Sequence, residues 1–146
     1  MGSKSSNQLE RSATHLIHRA GQCATDIFQV EARASGLTPR QFAVLTTIAD
    51  EEGLTQTDLV ERTGIDRSTL ADIVARLLSR GLIHRRRAKG DGRAYAIKLT
   101  SQALKGLRQA ELAASVADSR LLAALPAAKR QEFLDSLHMI VTAPRP

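Results

Sequence analysis

Few residues of this chain could do chemistry, and most of them stand alone. His15 and His18 are three apart, a spacing that puts two imidazoles on one helix face and can begin a metal site, but no acidic or thiolate partner completes a set nearby. Cys23 is the single cysteine, so it forms no internal disulfide and builds no thiolate cluster. His84 and His138 are isolated. The "GDGR" stretch lacks the strand–helix setting and the lysine of a phosphate-cradling loop. Neither a catalytic residue nor a metal site nor a cofactor is expected, and the chain does not read as an enzyme. One cluster remains. Arg85, Arg86, Arg87, Lys89 and Arg93 crowd into nine residues, and like charges at that density repel one another unless a polyanion neutralises them.

The charge is also local. From Arg62 to Lys98 ten basic residues face three acidic ones, whereas the remaining eleven basic and twelve acidic residues nearly cancel, so one quarter of the chain carries the whole surplus of the +6 total. That asymmetry is an electrostatic footprint for nucleic acid, with a solvated basic face as the plainer alternative. Aromatic residues make up only 3% with no Trp, which argues against a stacking platform for single strands. No apolar run is long enough to span a membrane, and the polar opening "MGSKSSNQ" is not a secretory signal; a cytoplasmic location is expected.

The elements that must position the basic cluster read clearly. "LTPRQF" carries a helix start, with Thr38 as cap, Pro39 first, Gln41 reaching back and Leu37 stapled on Phe42. "LTQTDLVERTGI" opens a second helix at Thr55 and ends it at Gly64. "DRSTLADIVARLLSRGLI" opens a third at the Asp66 cap and ends it at Gly81. Two short helices joined by "TGID" and followed by a basic hairpin make a helix-turn-helix with a wing. In the hairpin, alternation predicts Tyr95, Ile97 and Leu99 inward and Ala94, Ala96 and Lys98 outward.

On both sides of this unit lie long aliphatic seams. Leu9, Ala13, Leu16, Ala20, Cys23, Ile27, Val30 and Ala34 predict one helix from about residue 6 to 35, in which Cys23 is a buried, inert thiol. Ala103, Leu107, Ala110, Ala114, Ala117, Leu121 and Ala124 predict another, and Pro126 suits the first turn of a last helix carrying Phe133, Leu134, Leu137, Ile140 and Val141. The expected class is therefore mainly α: a winged helix-turn-helix over residues 36–99, with residues 6–35 and 100–146 forming a helical dimerisation region.

In the third helix of the winged unit Leu70, Ile73, Val74, Leu77 and Leu78 should face the core. Arg67, Ser68, Thr69, Asp72 and Arg76 are then left to face a major groove, with Ala75 and Ser79 beside them. Asp72 would repel phosphates unless Arg76, four residues on, pairs with it. Arg93 at the wing tip suits a narrow minor groove, and Asp91 either orients Arg87 or Arg93 or simply forms the turn.

The order of long helix, "LTPRQFAVL", "LTQTDLVERTGIDRSTLADIVARLLSRGLIHRRR", "GDGRAYAIKLT" and a long Ala/Leu helix resembles the MarR family of bacterial winged-helix regulators, over about residues 9 to 142. The resemblance implies a homodimer reading a pseudopalindrome in double-stranded DNA. In most members it implies a repressor released by a small effector, such as an aromatic or phenolic acid or its coenzyme A thioester. It matches Ser68, Thr69, Asp72 and Arg76 to the recognition face, and Asp91 and Arg93 to the acid-x-basic motif of the wing. Two positions depart from the family pattern: Asp72 replaces a basic or amide residue, and Gly92 a second basic one. A family pocket beside the first helix would draw on His15, His18, Arg19 and Gln22, whose alternative is plain surface or interface polarity. Two other readings stay open. One is a redox-sensing repressor working through Cys23, although its relatives set tyrosines near the thiol and the only tyrosine here is Tyr95. The other is a winged helix that binds protein.

Overall fold

The computed structural model describes residues 3–87 and 94–146, so Lys89, Asp91, Gly92 and Arg93 lie outside the described residues. In chain order the elements are α1 (Ser3–Glu10), α2 (Ala13–Glu31), a 3-10 turn (Arg33–Ser35), α3 (Pro39–Asp50), α4 (Gln56–Thr63) and α5 (Arg67–Ser79). The strands β1 (Ile83–Arg87) and β2 (Tyr95–Leu99) follow, then α6 (Ser101–Leu122) and α7 (Ala127–Thr142). The architecture is the expected one, mostly helical with a two-stranded antiparallel wing.

Capping explains most of the boundaries. The Thr38 hydroxyl accepts from the Gln41 N–H at 3.2 Å, and Gln41 Oε1 accepts from the Thr38 N–H at 3.2 Å. Thr55 and Asp58 form the same reciprocal box at the start of α4. Each box satisfies backbone donors that the helix cannot, which contributes on the order of 1 kcal/mol. Gly64 ends α4 at φ +70°, a left-handed conformation that costs residues with a Cβ, and Asp66 then caps α5.

The sequence reading errs at five places. The first seam is not one helix: α1 ends at Glu10, and Ser12 caps α2 by accepting from the His15 N–H at 3.3 Å. The apolar spacing runs through this break in phase, which hid it. Ala124 lies beyond the end of α6, and Pro126 is the cap of α7 rather than part of its first turn. In the hairpin, Tyr95 is exposed and Ala96 buried. Tyr95 pairs with Arg87 at the open end of the ladder, whereas the short Ala96 side chain sits opposite the long Arg86. Cys23 is exposed in the single chain, on the wall of an open groove between α2 and the α6–α7 region.

The main core joins Val44, Leu45 and Ile48 of α3, Leu59 of α4, Leu70, Val74 and Leu77 of α5, Ile83 and Ile97 of the wing, and Ala103, Leu107 and Ala110 of α6. Leu59, Leu70 and Leu77 have no accessible surface, and each such side chain contributes about 1.5–3 kcal/mol by burial. A smaller cluster of Phe28, Ala32, Ala114 and Ala117 welds α2 to α6, where alanines let the helices approach closely. Phe42 touches both clusters, and its ring lies 5.6 Å from that of Phe28. The winged unit is thereby packed onto the long helices.

Candidate nucleic-acid interface

The interface is built on α5. Its inner face, Leu70, Ile73, Val74 and Leu77, is buried, so Arg67, Ser68, Asp72, Ala75, Arg76 and Ser79 are turned to solvent as expected. Thr69 is half-buried and partly occupied: its hydroxyl donates to Asp66 Oδ2 at 2.7 Å while its N–H donates to Asp66 Oδ1 at 2.8 Å. These bonds hold the Asp66 carboxyl below its ordinary range, with a smaller contribution from the nearby Arg40 guanidinium. Asp72 accepts from Arg76 Nε at 3.0 Å, so the awkward carboxylate is answered within the same helix. Arg76 keeps its terminal nitrogens for other acceptors.

The wing stands beside α5, tied down at its base. The Ile97 N–H donates to Leu54 O at 2.8 Å, so the segment before α4 extends the ladder. Thr100, the last residue of "KLT", donates its hydroxyl to Gly81 O at 2.8 Å and its N–H to Leu82 O at 3.0 Å, and it also caps α6. One threonine thus fixes the segment after α5, the wing and the long helix to each other.

The register divides the arginine run. Ile83 pairs with Leu99, Arg85 with Ile97 and Arg87 with Tyr95, whereas His84 pairs with Lys98 and Arg86 with Ala96. Cross-strand partners share a face, so Arg85 and Arg87 project on one side and Arg86 on the other, with His84 and Lys98. All three arginines are exposed. Arg85 and Tyr95 wall a cleft of about 370 Å³ whose other side is Thr55, Gln56 and Thr57 at the start of α4.

Two arginines outside the expected set also bear on the interface. Arg40, in the first turn of α3, reaches the neighbourhood of the α5 cap. Arg62 donates to both oxygens of Glu51, at 3.1 and 3.2 Å, fastening α4 to the end of α3. Both relationships cross between elements, and local spacing carries no sign of them.

The four residues expected to line a pocket all lie on α2. His15 is half-buried, while His18, Arg19 and Gln22 are exposed, and the Gln22 amide donates to Asp26 at 2.8 Å. An open apolar groove on α2, about 570 Å³, lies along Leu16, Ile17, Ala20 and Cys23 and is walled on its other side by Leu121, Leu125, Phe133 and Leu137 of the α6–α7 region. Leu134, Met139, Ile140 and Val141 of α7 are exposed as well. Among the described residues no group of His, Cys, Asp and Glu is placed to hold a metal ion, and no helix is long and apolar enough to cross a membrane.

Known proteins share this arrangement. The family model described as MarR family matches residues 35–94. The transcriptional regulator HosA of Escherichia coli O127:H6 is 32% identical over 126 residues, covering 86% of this chain and 92% of HosA. Among solved structures, the BpsR protein of Bordetella bronchiseptica, described for the regulation of its DNA binding by 6-hydroxynicotinic acid, superposes with a TM-score of 0.85 at 27% identity. That match covers 92% of this chain and 96% of BpsR. The transcriptional repressor CouR, bound to a 23-mer DNA duplex, superposes with a TM-score of 0.83 at 27% identity, over 92% of this chain and 95% of CouR. With the capped helix-turn-helix, the basic wing and these relatives together, the chain belongs to the MarR family of transcriptional regulators.

Proposed function

We propose that the chain is a repressor that acts as a homodimer on a pseudopalindromic operator in duplex DNA and is released by a small effector, an aromatic acid or its coenzyme A thioester. The observation that carries this reading is the open polar face of α5, with Arg67, Ser68, Asp72 and Arg76 free of the core and the exposed arginines of β1 alongside. A polar helix face of that size fits a major groove, and the arginines beside it supply phosphate contacts. The DNA-bound structure of CouR supports the same use of the same fold.

Dimerisation is supported by the groove on α2 and the uncovered apolar residues of α7. Leaving that surface in water costs about 25 cal/mol per Å², and a second copy supplies a matching surface. Cys23 lies in this groove, where such a partner would shield the thiol. The effector class is supported by the heteroaromatic acid named for BpsR.

The test is a mobility-shift titration of the purified chain against genomic fragments at two salt concentrations. Each phosphate neutralised contributes about 0.9 to the slope of log affinity against log salt, so a steep loss is expected. The same complexes are then exposed to small aromatic acids and thioesters. Salt-independent affinity, or a chain that stays monomeric at the working concentration, would overturn the reading.

A further inference from the structure

The geometry points to Arg80 as a positioning residue that sets the separation of the two reading helices, by clamping the C-terminal end of α5 to the segment that joins the winged unit to α2. The inference rests on the dimeric DNA-binding reading above. Arg80 is the C-cap residue of α5. Its Nη1 donates to Gly36 O at 3.1 Å and to Gln41 Oε1 at 3.3 Å, across 44 and 39 residues of sequence.

Both acceptors belong to the junction. Gly36 follows the 3-10 turn after α2 and holds φ at +65°, where a Cβ is strained; a Cβ there would also lie 3.1 Å from Arg80 Nη2. Gln41 is the one buried polar side chain among the described residues, and the same oxygen that accepts from Arg80 accepts from the Thr38 N–H. The clamp therefore ties the end of the recognition helix to the cap of α3 and to the last bend of the chain before it.

Small angles matter at this place. The thirteen residues of α5 span about 20 Å at 1.5 Å per residue, so a tilt of roughly 5° about its C-terminal end moves its N-terminal tip by about 2 Å. One base-pair step along a strand is about 3.4 Å. In a dimer both tips move, and the register between half-sites changes by a sizeable part of one step. Arg80 is itself exposed, so the bonds contribute little to overall stability while limiting this tilt.

The experiment uses an operator fragment that binds the full-length wild-type chain, together with versions in which one base pair is inserted or deleted between the half-sites. Affinity for each is measured by mobility shift at two salt concentrations, for wild type, Arg80→Met, Gly36→Ala and the double variant. We expect both variants to narrow the preference for the natural spacing by on the order of five- to ten-fold, with the salt slope unchanged and the double variant no worse than either single. A uniform loss on every spacing with a shallower slope would make Arg80 a phosphate contact instead, and unchanged spacing preference with a lower melting temperature would make the clamp purely structural. Either result overturns the proposal. If the wild-type chain binds no fragment, it is the DNA-binding reading that fails.

Discussion

Asp72 and Arg76 are joined at 3.0 Å on the open face of α5, both roughly two-thirds exposed. If this face meets DNA as proposed, the carboxylate lowers its attraction to phosphates, and the bond to Arg76 holds that guanidinium in one orientation. Replacing Asp72 by Ala removes the repulsion and frees the guanidinium. Affinity for non-cognate DNA is expected to rise several-fold and discrimination between operator and non-operator to fall. The exposed pair contributes only about 0.3–0.5 kcal/mol to stability, so the melting temperature should hardly move. Competition binding with cognate and random duplexes checks both expectations.

The divided arginine run makes a second expectation. Arg85 projects with Arg87 and Tyr95 toward the start of α4, where a cleft leaves room for a strand backbone. Arg85→Ala is expected to weaken binding to cognate and random duplexes alike, and to lower the salt slope by about 0.9. An unchanged slope would show that this face of the wing does not meet phosphate.

Acid should loosen the reading unit from its helix starts. Bonds from the N–H and hydroxyl of Thr55 hold Asp58 below its ordinary pKa, and those from Thr69 do the same for Asp66. A carboxylate depressed on folding gives stability that is present above its unfolded pKa and is lost as pH falls through the lower folded value. Unfolding should therefore become easier from about pH 4 downward, starting at the unfolded value of 3.8. Asp66→Asn keeps a capping oxygen but cannot titrate, so its urea midpoint should fall less between pH 6 and pH 3 than that of wild type.

The apolar groove supplies the fourth expectation. Leu137, half-buried in its wall, sits where a partner would close over it. Leu137→Glu is expected to leave the single chain folded, since its surroundings are open, and to shift sedimentation from dimer to monomer. Operator affinity should drop more than ten-fold, because each reading unit would then bind alone. A dimer that survives this change would place the interface elsewhere.

Much of the fold was legible because its signals are local. Thr38, Thr55 and Asp66 announce helix starts through bonds to residues three positions on, and Gly64 announces a stop through its own backbone. The inner face of α5 followed from spacing alone, since Leu70, Ile73, Val74 and Leu77 repeat with the turn of a helix. Which side chains of α5 stay outside was fixed in the same stroke.

The errors have a common cause. Ser12 breaks the first helix without disturbing the apolar period, and Tyr95 is in phase with Ile97 yet is left exposed on the wall of an open cleft. Periodicity reports which residues share a face and is silent on whether anything packs against it.

By itself the sequence determined the helix boundaries of the reading unit, its inner and outer faces and the concentration of charge in one quarter of the chain, all of which depend on neighbours within a few residues. Only the tertiary structure decided that Arg80 clasps Gly36 and Gln41, that Arg62 holds Glu51 and that the strand register sends Arg86 away from Arg85 and Arg87. Those contacts join residues eleven to forty-four positions apart, or depend on the exact pairing of two strands. They exist because packing of the common core brings separate elements within hydrogen-bond reach, a condition that no spacing along the chain encodes.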